Sequence, residues 1–154
     1  RKSFEGWEHV DFPRSRYIRG IRGVCIIHSR HYKCTIASVW FNHDEEKERF
    51  LFHVLRHLPP SSRIILDMDA NDYKSKLQKH YRFGNNQITL YNKSMNMNTC
   101  CEDAGYSMPG DYVFDTLEAG LCRYMVPYEN KYEQCFGDHL GLYYETSLHT
   151  GHKD

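Results

Sequence analysis

A chain of 154 residues suffices for one domain that buries roughly two-thirds of its unfolded surface without disulfide or metal staples. Twenty Lys and Arg balance twenty Asp and Glu, which argues against a general polyanion or membrane-surface binder and leaves electrostatic steering to local patches. No apolar run reaches membrane-spanning length, no secretory signal is present and the first residue is not Met, so the expectation is an intracellular protein of cytoplasm or nucleus, processed or lacking its true N-terminus.

Residues 1–20 mix aromatics and charges and are expected to be irregular or to hold one short strand. Residues 1–35 carry eight basic side chains against three acidic ones. Arg16, Arg19 and Arg22 in this stretch suit a phosphate-backbone track, although a solvated loop is the simpler explanation. Residues 24–27 and 32–41 read as a hairpin, with the polar residues 28–33 at its turn. Residues 42–58 read as a helix: Asn42 or Asp44 caps it, Glu45 and Glu46 sit in its first turn, and Phe50, Leu51, Val54, Leu55 and Leu58 share one stripe. Pro59-Pro60 stops it. Residues 64–69 form an apolar run that suits a central strand covered on both faces. Residues 72–110 are the least legible, with strand character at 87–91. Further strands are expected at 111–114, 121–126 and 140–144, followed by a frayed tail. Cysteines at 25, 34, 100, 101, 122 and 135 lack metal-knuckle spacing; reduced thiols are expected, with Cys25 packing as a small hydrophobe inside its apolar run.

Two segments carry chemistry. Ile64-Ile65-Leu66-Asp67-Met68-Asp69-Ala70-Asn71 delivers a carboxylate and a carboxamide to the C-terminal rim of a strand, where open α/β sheets place their sites. Gly137-Asp138-His139, ahead of the last strand, delivers a base to the same rim. A phosphodiester hydrolase needs an activated water, neutralised phosphoryl oxygens and help for the leaving oxygen, and Asp, Asn, His and a divalent cation supply all three.

The motif order resembles the exonuclease-endonuclease-phosphatase superfamily, the fold of DNase I, apurinic endonucleases and retrotransposon endonucleases. Met68-Asp69-Ala70-Asn71 resembles its Gly-Asp-x-Asn motif, Asp111-Tyr112-Val113-Phe114 its Asp-Tyr strand, and Gly137-Asp138-His139 its terminal Ser-Asp-His. The resemblance implies an α/β fold, part of a four-layer α/β/β/α sandwich with mostly antiparallel mixed sheets. It covers roughly residues 20–145 of one domain spanning 1–154, with the first lobe missing and the ends 1–20 and 146–154 poorly ordered. It implies a metal-dependent phosphodiester hydrolase, most simply an endonuclease acting on DNA or RNA. In that reading His139 is the general base or an electrophilic donor, Asp111 fixes its tautomer, and Asp69 orients the attacking water or the leaving group. Asn71 stabilises the phosphoryl oxygens, Asp138 helps hold Mg²⁺ or Mn²⁺, and His43 is a second acid.

The chain departs from the pattern in three ways. Met68 stands where the family has Gly, Gly137 where it has Ser, and the family's upstream Asn and metal-binding Glu are absent; Glu5 and Glu8 are the nearest substitutes. The cation is therefore expected to be weakly held. Another chain supplying the missing lobe is one resolution. The alternative function is an inactive relic serving as a binding or structural subunit of a larger, viral or other assembly, which the 14% aromatic content also fits. A third reading takes His28, His31, His43, His53 and His57 as a transition-metal site.

Overall fold

The computed structural model describes residues 5–12, 21–41, 54–69, 80–83, 88–94, 97–99, 110–124 and 142–148. Within them the protein is mainly β. The strands are β1 (Glu8–Val10), β2 (Ile21–Ser29), β3 (Cys34–Phe41), β4 (Arg63–Asp69), β5 (His80–Phe83), β6 (Ile88–Asn92), β7 (Asp111–Asp115), β8 (Leu121–Tyr124) and β9 (Leu142–Glu145). Seven of them build one sheet in the order β1-β2-β3-β4-β7-β6-β5, and β8 pairs with β9 in a second. The expected mixed, mostly antiparallel sheet is present: only β3 and β4 run parallel among the described pairings.

The β2–β3 hairpin forms where the alternating, β-branched sequence predicts it, turning through residues 30–33 with Lys33 in the left-handed region (φ 48°). A parallel β3–β4 pair needs a crossover of a dozen or more residues, and the chain between Phe41 and Arg63 supplies it. Of the helix expected there, residues 54–56 are helical; residues 42–53 lie outside the described set. β4 occupies the middle of the larger sheet, as its apolar run requires. β5 was hidden in the polar stretch 72–110, because Tyr81 is the one residue of His80-Tyr81-Arg82 that is buried.

Strand alternation gives the sheet two different faces. On one, Ile26, Ala37, Val39, Phe41, Ile64, Leu66, Met68, Leu90, Tyr112 and Phe114 form the core, which Val54 joins and against which Leu55 and Leu58 pack. Burying such side chains contributes about 1.5–3 kcal/mol each, so this face holds the sheet together. On the other face stand Ile36, Ser38, Trp40, Ile65, Asp67, Asp69, Asp111 and Val113, and the β8–β9 ribbon crosses part of it. Arg63 fastens that ribbon: it donates to Ser147 O at 2.9 Å and Thr146 Oγ1 at 2.6 Å, while Tyr144 donates its hydroxyl proton to Asp115. Thr146 and Ser147, expected in the frayed tail, are thus held. Cys25, Cys34 and Cys122 are free thiols, but Cys25 is exposed, contrary to the expectation that it packs as a hydrophobe. Its neighbour Ile26 takes the core position, and the alternation of the strand turns Cys25 to the opposite face. No helix among the described residues is long and apolar enough to cross a membrane.

Candidate active site

The register of the larger sheet sets Asp69 of β4 directly opposite Asp111 of β7. Directly opposed residues on an antiparallel pair share a face and bring their Cβ atoms to about 4.5–5.5 Å. Both carboxylates therefore meet at one rim, where β4 ends and β7 begins. Asp111 is placed by its backbone: the hydroxyl of buried Thr99 accepts from Asp111 N at 3.0 Å and from Gly110 N at 3.2 Å, fixing the entry into β7. Asp69 is placed by burial two ways, since Met68 before it and Leu66 beyond are locked into the core.

A third carboxylate belongs to the same face. Asp67, two residues before Asp69, accepts a hydrogen bond from Ser38 Oγ at 3.4 Å. Its pKa is raised, first because the carboxyl loses water against the wall of the recess beneath β9, and further by the charges of Asp111 and Asp69; the Ser38 hydroxyl opposes these. Asp67 was legible as part of the motif, but its role on the shared face emerges only once the strand's period-two alternation is fixed.

The recess itself has a volume of about 450 Å³, with an apolar floor of Ile36, Ile65 and Val113 and a roof that includes Leu142, Tyr143 and Tyr144. At the far end of β4 and β7 lies the opposite arrangement. Arg63 Nε and Nη2 donate to Asp115 Oδ1 and Oδ2 at 2.6 and 2.8 Å, a bidentate buried pair. Burial works to lower the Arg63 pKa, but the hydrogen bonds and charge of Asp115 outweigh it and the net shift is upward. Cys34 beside them is pushed up to about 11 by burial, with Arg63 opposing. The sequence carried no signal for this network, because Arg63 and Asp115 stand 52 residues apart and each alone reads as a strand-end charge.

Met68 resolves one departure from the family pattern. Its side chain is 1% exposed and points into the core, on the face away from Asp69, so its bulk does not intrude on the carboxylate rim. Glu8, the nearest substitute for the missing metal-binding Glu, does not serve that rim. It sits on edge strand β1, level with His28, Thr35 and Ile64, three strands across from β4 and five residues short of Asp69. That separation is roughly 20 Å from strand spacings alone. Glu5 is exposed ahead of β1.

Of the remaining expected site residues, Arg22 is described only through its backbone in β2. The register between Ile21 and Gly23 shifts against Phe41 and Trp40, so Arg22 is the extra residue of a bulge, a feature common beside active sites. Arg16, Arg19, His43, Asn71, Asp138 and His139 lie outside the described residues. Of the five histidines considered for a transition metal, His28 Nδ1 is bonded to Thr35 Oγ1 at 2.9 Å, His31 packs edge-on against Tyr32 and His57 against Phe12; His43 and His53 lie outside the described residues. Among the described residues no group of three or more His, Cys, Asp or Glu is arranged to hold a metal ion. No protein-family model matches this chain, and no curated protein matches it.

Proposed function

We propose that this protein is a divalent-metal-dependent phosphodiester hydrolase, an endonuclease acting on nucleic acid inside the cell. The observation that carries the reading is the opposition of Asp69 and Asp111 at the strand rim, where two like charges set directly opposite each other cost pairing stability. Sites of chemistry tolerate such a cost. The α/β/β/α sandwich belongs to the same proposal, supported by the two stacked sheets and the helical turn against the outer face of the larger one.

The donor set fits Mg²⁺ or Mn²⁺: such ions take one or two carboxylates and keep several waters, and Asp69 and Asp111 offer two hard oxygen ligands side by side, with Asp138 the third candidate. When bound, the ion supplies charge neutralisation on the phosphoryl oxygens. The protein's own groups do the rest. His139 takes the proton of the attacking water, Asp111 accepts from the other ring nitrogen and fixes the tautomer, Asp69 orients the water, and Asn71 donates to a phosphoryl oxygen. His43 protonates the leaving oxygen.

The test is cleavage of single- and double-stranded DNA and RNA with Mg²⁺ or Mn²⁺, comparing the native chain with His139→Ala and Asp69→Ala. Removal of a general base is expected to lower the rate about 10²–10⁴-fold. Equal rates in all three proteins would dispose of the site; no cleavage by any of them would favour a binding subunit that reuses the fold.

A further inference from the structure

The recess beneath β9 has no part in the proposed hydrolysis. At about 450 Å³ it falls within the roughly 300–1,000 Å³ of small-molecule sites, and it has their usual make-up of apolar walls around a few polar groups. The sheet builds its floor in two adjacent rows: Ile36 is the register partner of Ile65, and Val113 that of Asp67. Ile65 and Asp67 are successive residues on one face of β4, so the strand sets an acid about 7 Å beyond an apolar floor residue.

The wall opposite is fixed in advance. Tyr144 donates its hydroxyl proton to buried Asp115, and it fits there because residue 120 is glycine: a Cβ at that position would collide with the tyrosine hydroxyl. Gly120 also has a φ of +131°, which L side chains rarely adopt. A wall set before a ligand arrives costs little ordering when one binds.

The charged lining is of one sign. Asp67 and Glu145 supply it, and no Lys, Arg or His stands among the described residues around the recess. Glu145 already has a cation, since Arg123 of β8 reaches it at 3.5 Å while lying over the Tyr143 ring at 4.7 Å. Arg63 is engaged with Asp115, and Lys93 donates to Glu118 O. Asp67 is exposed and meets no cation among the described residues; its hydrogen bond comes from the neutral Ser38 hydroxyl at a long 3.4 Å. A carboxylate that has lost water and feels the charges of Asp111 and Asp69 gains from a cation and repels an anion, phosphate included.

We infer that the recess is a binding site for a small organic ammonium ion, with the protonated amine on the Asp67 carboxylate and an apolar or aromatic body between the β9 tyrosines and the floor of Ile36, Ile65 and Val113. This goes beyond the hydrolase reading and does not depend on it. The apolar walls accept many bodies of the right size; the charge-assisted bond to Asp67 selects the cation among them.

The probe is 2-phenylethylamine, which is protonated at neutral pH, titrated into the nitrogen-labelled full chain and followed by amide NMR shifts. Saturable shifts are expected at Ile36, Ile65, Asp67, Val113 and residues 142–146. 2-Phenylethanol, which has the shape without the charge, is expected to bind about tenfold or more weakly, as is ethylammonium, which has the charge without the ring. 3-Phenylpropionate is expected not to bind. Asp67→Asn is expected to lose the preference for the amine over the alcohol while still admitting both; the comparison of ligands on the native chain stands whether or not that variant folds. Equal binding of amine and alcohol by the native chain, tighter binding of 3-phenylpropionate, an undiminished preference for the amine in folded Asp67→Asn, or no saturable shift at millimolar amine would each overturn the inference. Shifts at the same amides on raising the protein concentration alone would make a second copy of the chain the occupant, and would overturn it too.

Discussion

The paired strands β4 and β7 end in opposite ways. At one end Arg63 and Asp115 bring opposite charges together in a buried, bidentate contact, with Asp115 also accepting from Leu117 N at 2.9 Å and from the Tyr144 hydroxyl. At the other end Asp69 faces Asp111, like against like, with Asp67 adding a third negative charge to the same face. The first arrangement ties the two sheets into one body. The second sets like charges opposite each other in the pairing that carries it, a cost of the kind that sites of chemistry tolerate. In the proposed reading, the two ends of one strand pair divide stability from function.

The comparison breaks most visibly at Asp115. Asp115→Asn keeps the shape but leaves the Arg63 guanidinium buried without its counter-charge, and a loss of about 3–5 kcal/mol is expected in denaturant unfolding. For a domain of this size that lowers Tm by roughly 10 °C or more. Next comes the backbone anchor of the other end. Thr99→Val removes the acceptor for Gly110 and Asp111 N–H and should cost about 1–3 kcal/mol. It should also lower cleavage without touching a reacting group, because β7 no longer enters at the same place.

Smaller effects sharpen the like-charge end. Asp69→Asn or Asp111→Asn removes one of two opposed carboxylates, so stability should hold or rise, by less than about 1 kcal/mol. Asp67 gives a pH signature. Its folded pKa is raised above the unfolded value near 3.8, so the fold prefers the protonated form. Its penalty is absent below the unfolded pKa, grows as pH rises through the window up to the folded value, and persists above it. The gain from Asp67→Asn should therefore be present at neutral pH and vanish in acid, as thermal melts across that range would register. Thiol labelling comes last: at pH 8, mass-mapped iodoacetamide adducts should appear on exposed Cys25 well before Cys34 or Cys122, both buried and both with raised pKa.

Local patterns made much of this architecture readable in advance. The hairpin of β2 and β3, the central place of β4, and β7 all followed from runs of branched and aromatic residues bounded by turns, a signal that acts over a few neighbours. Asp69 and Asp111 were also legible as candidates, through Asp69-Ala70-Asn71 and Asp111-Tyr112. What could not be read was anything set by pairing. No local cue says that Asp69 lies opposite Asp111, or that Trp40 joins their row; that takes the register of three strands from distant parts of the chain. Arg63 and Asp115 were invisible for the same reason. Met68, where the family pattern has Gly, goes into the core because alternation decides which face a side chain takes, and that face is set by its one-residue offset from Asp69. β5 went unseen because its buried Tyr81 stands between two exposed, charged-type neighbours, His80 and Arg82.

The division of labour between the two ends is tested most directly by measuring cleavage rate and thermal midpoint on the same preparations of Asp69→Asn and Asp115→Asn, with a single-stranded oligonucleotide and Mg²⁺. The expected result is a crossover: Asp69→Asn loses at least about 100-fold in rate with its Tm unchanged or slightly higher, while Asp115→Asn loses Tm and retains cleavage at temperatures where it remains folded. An Asp69→Asn protein that cleaves like the native chain, or that unfolds as early as Asp115→Asn, would contradict the account.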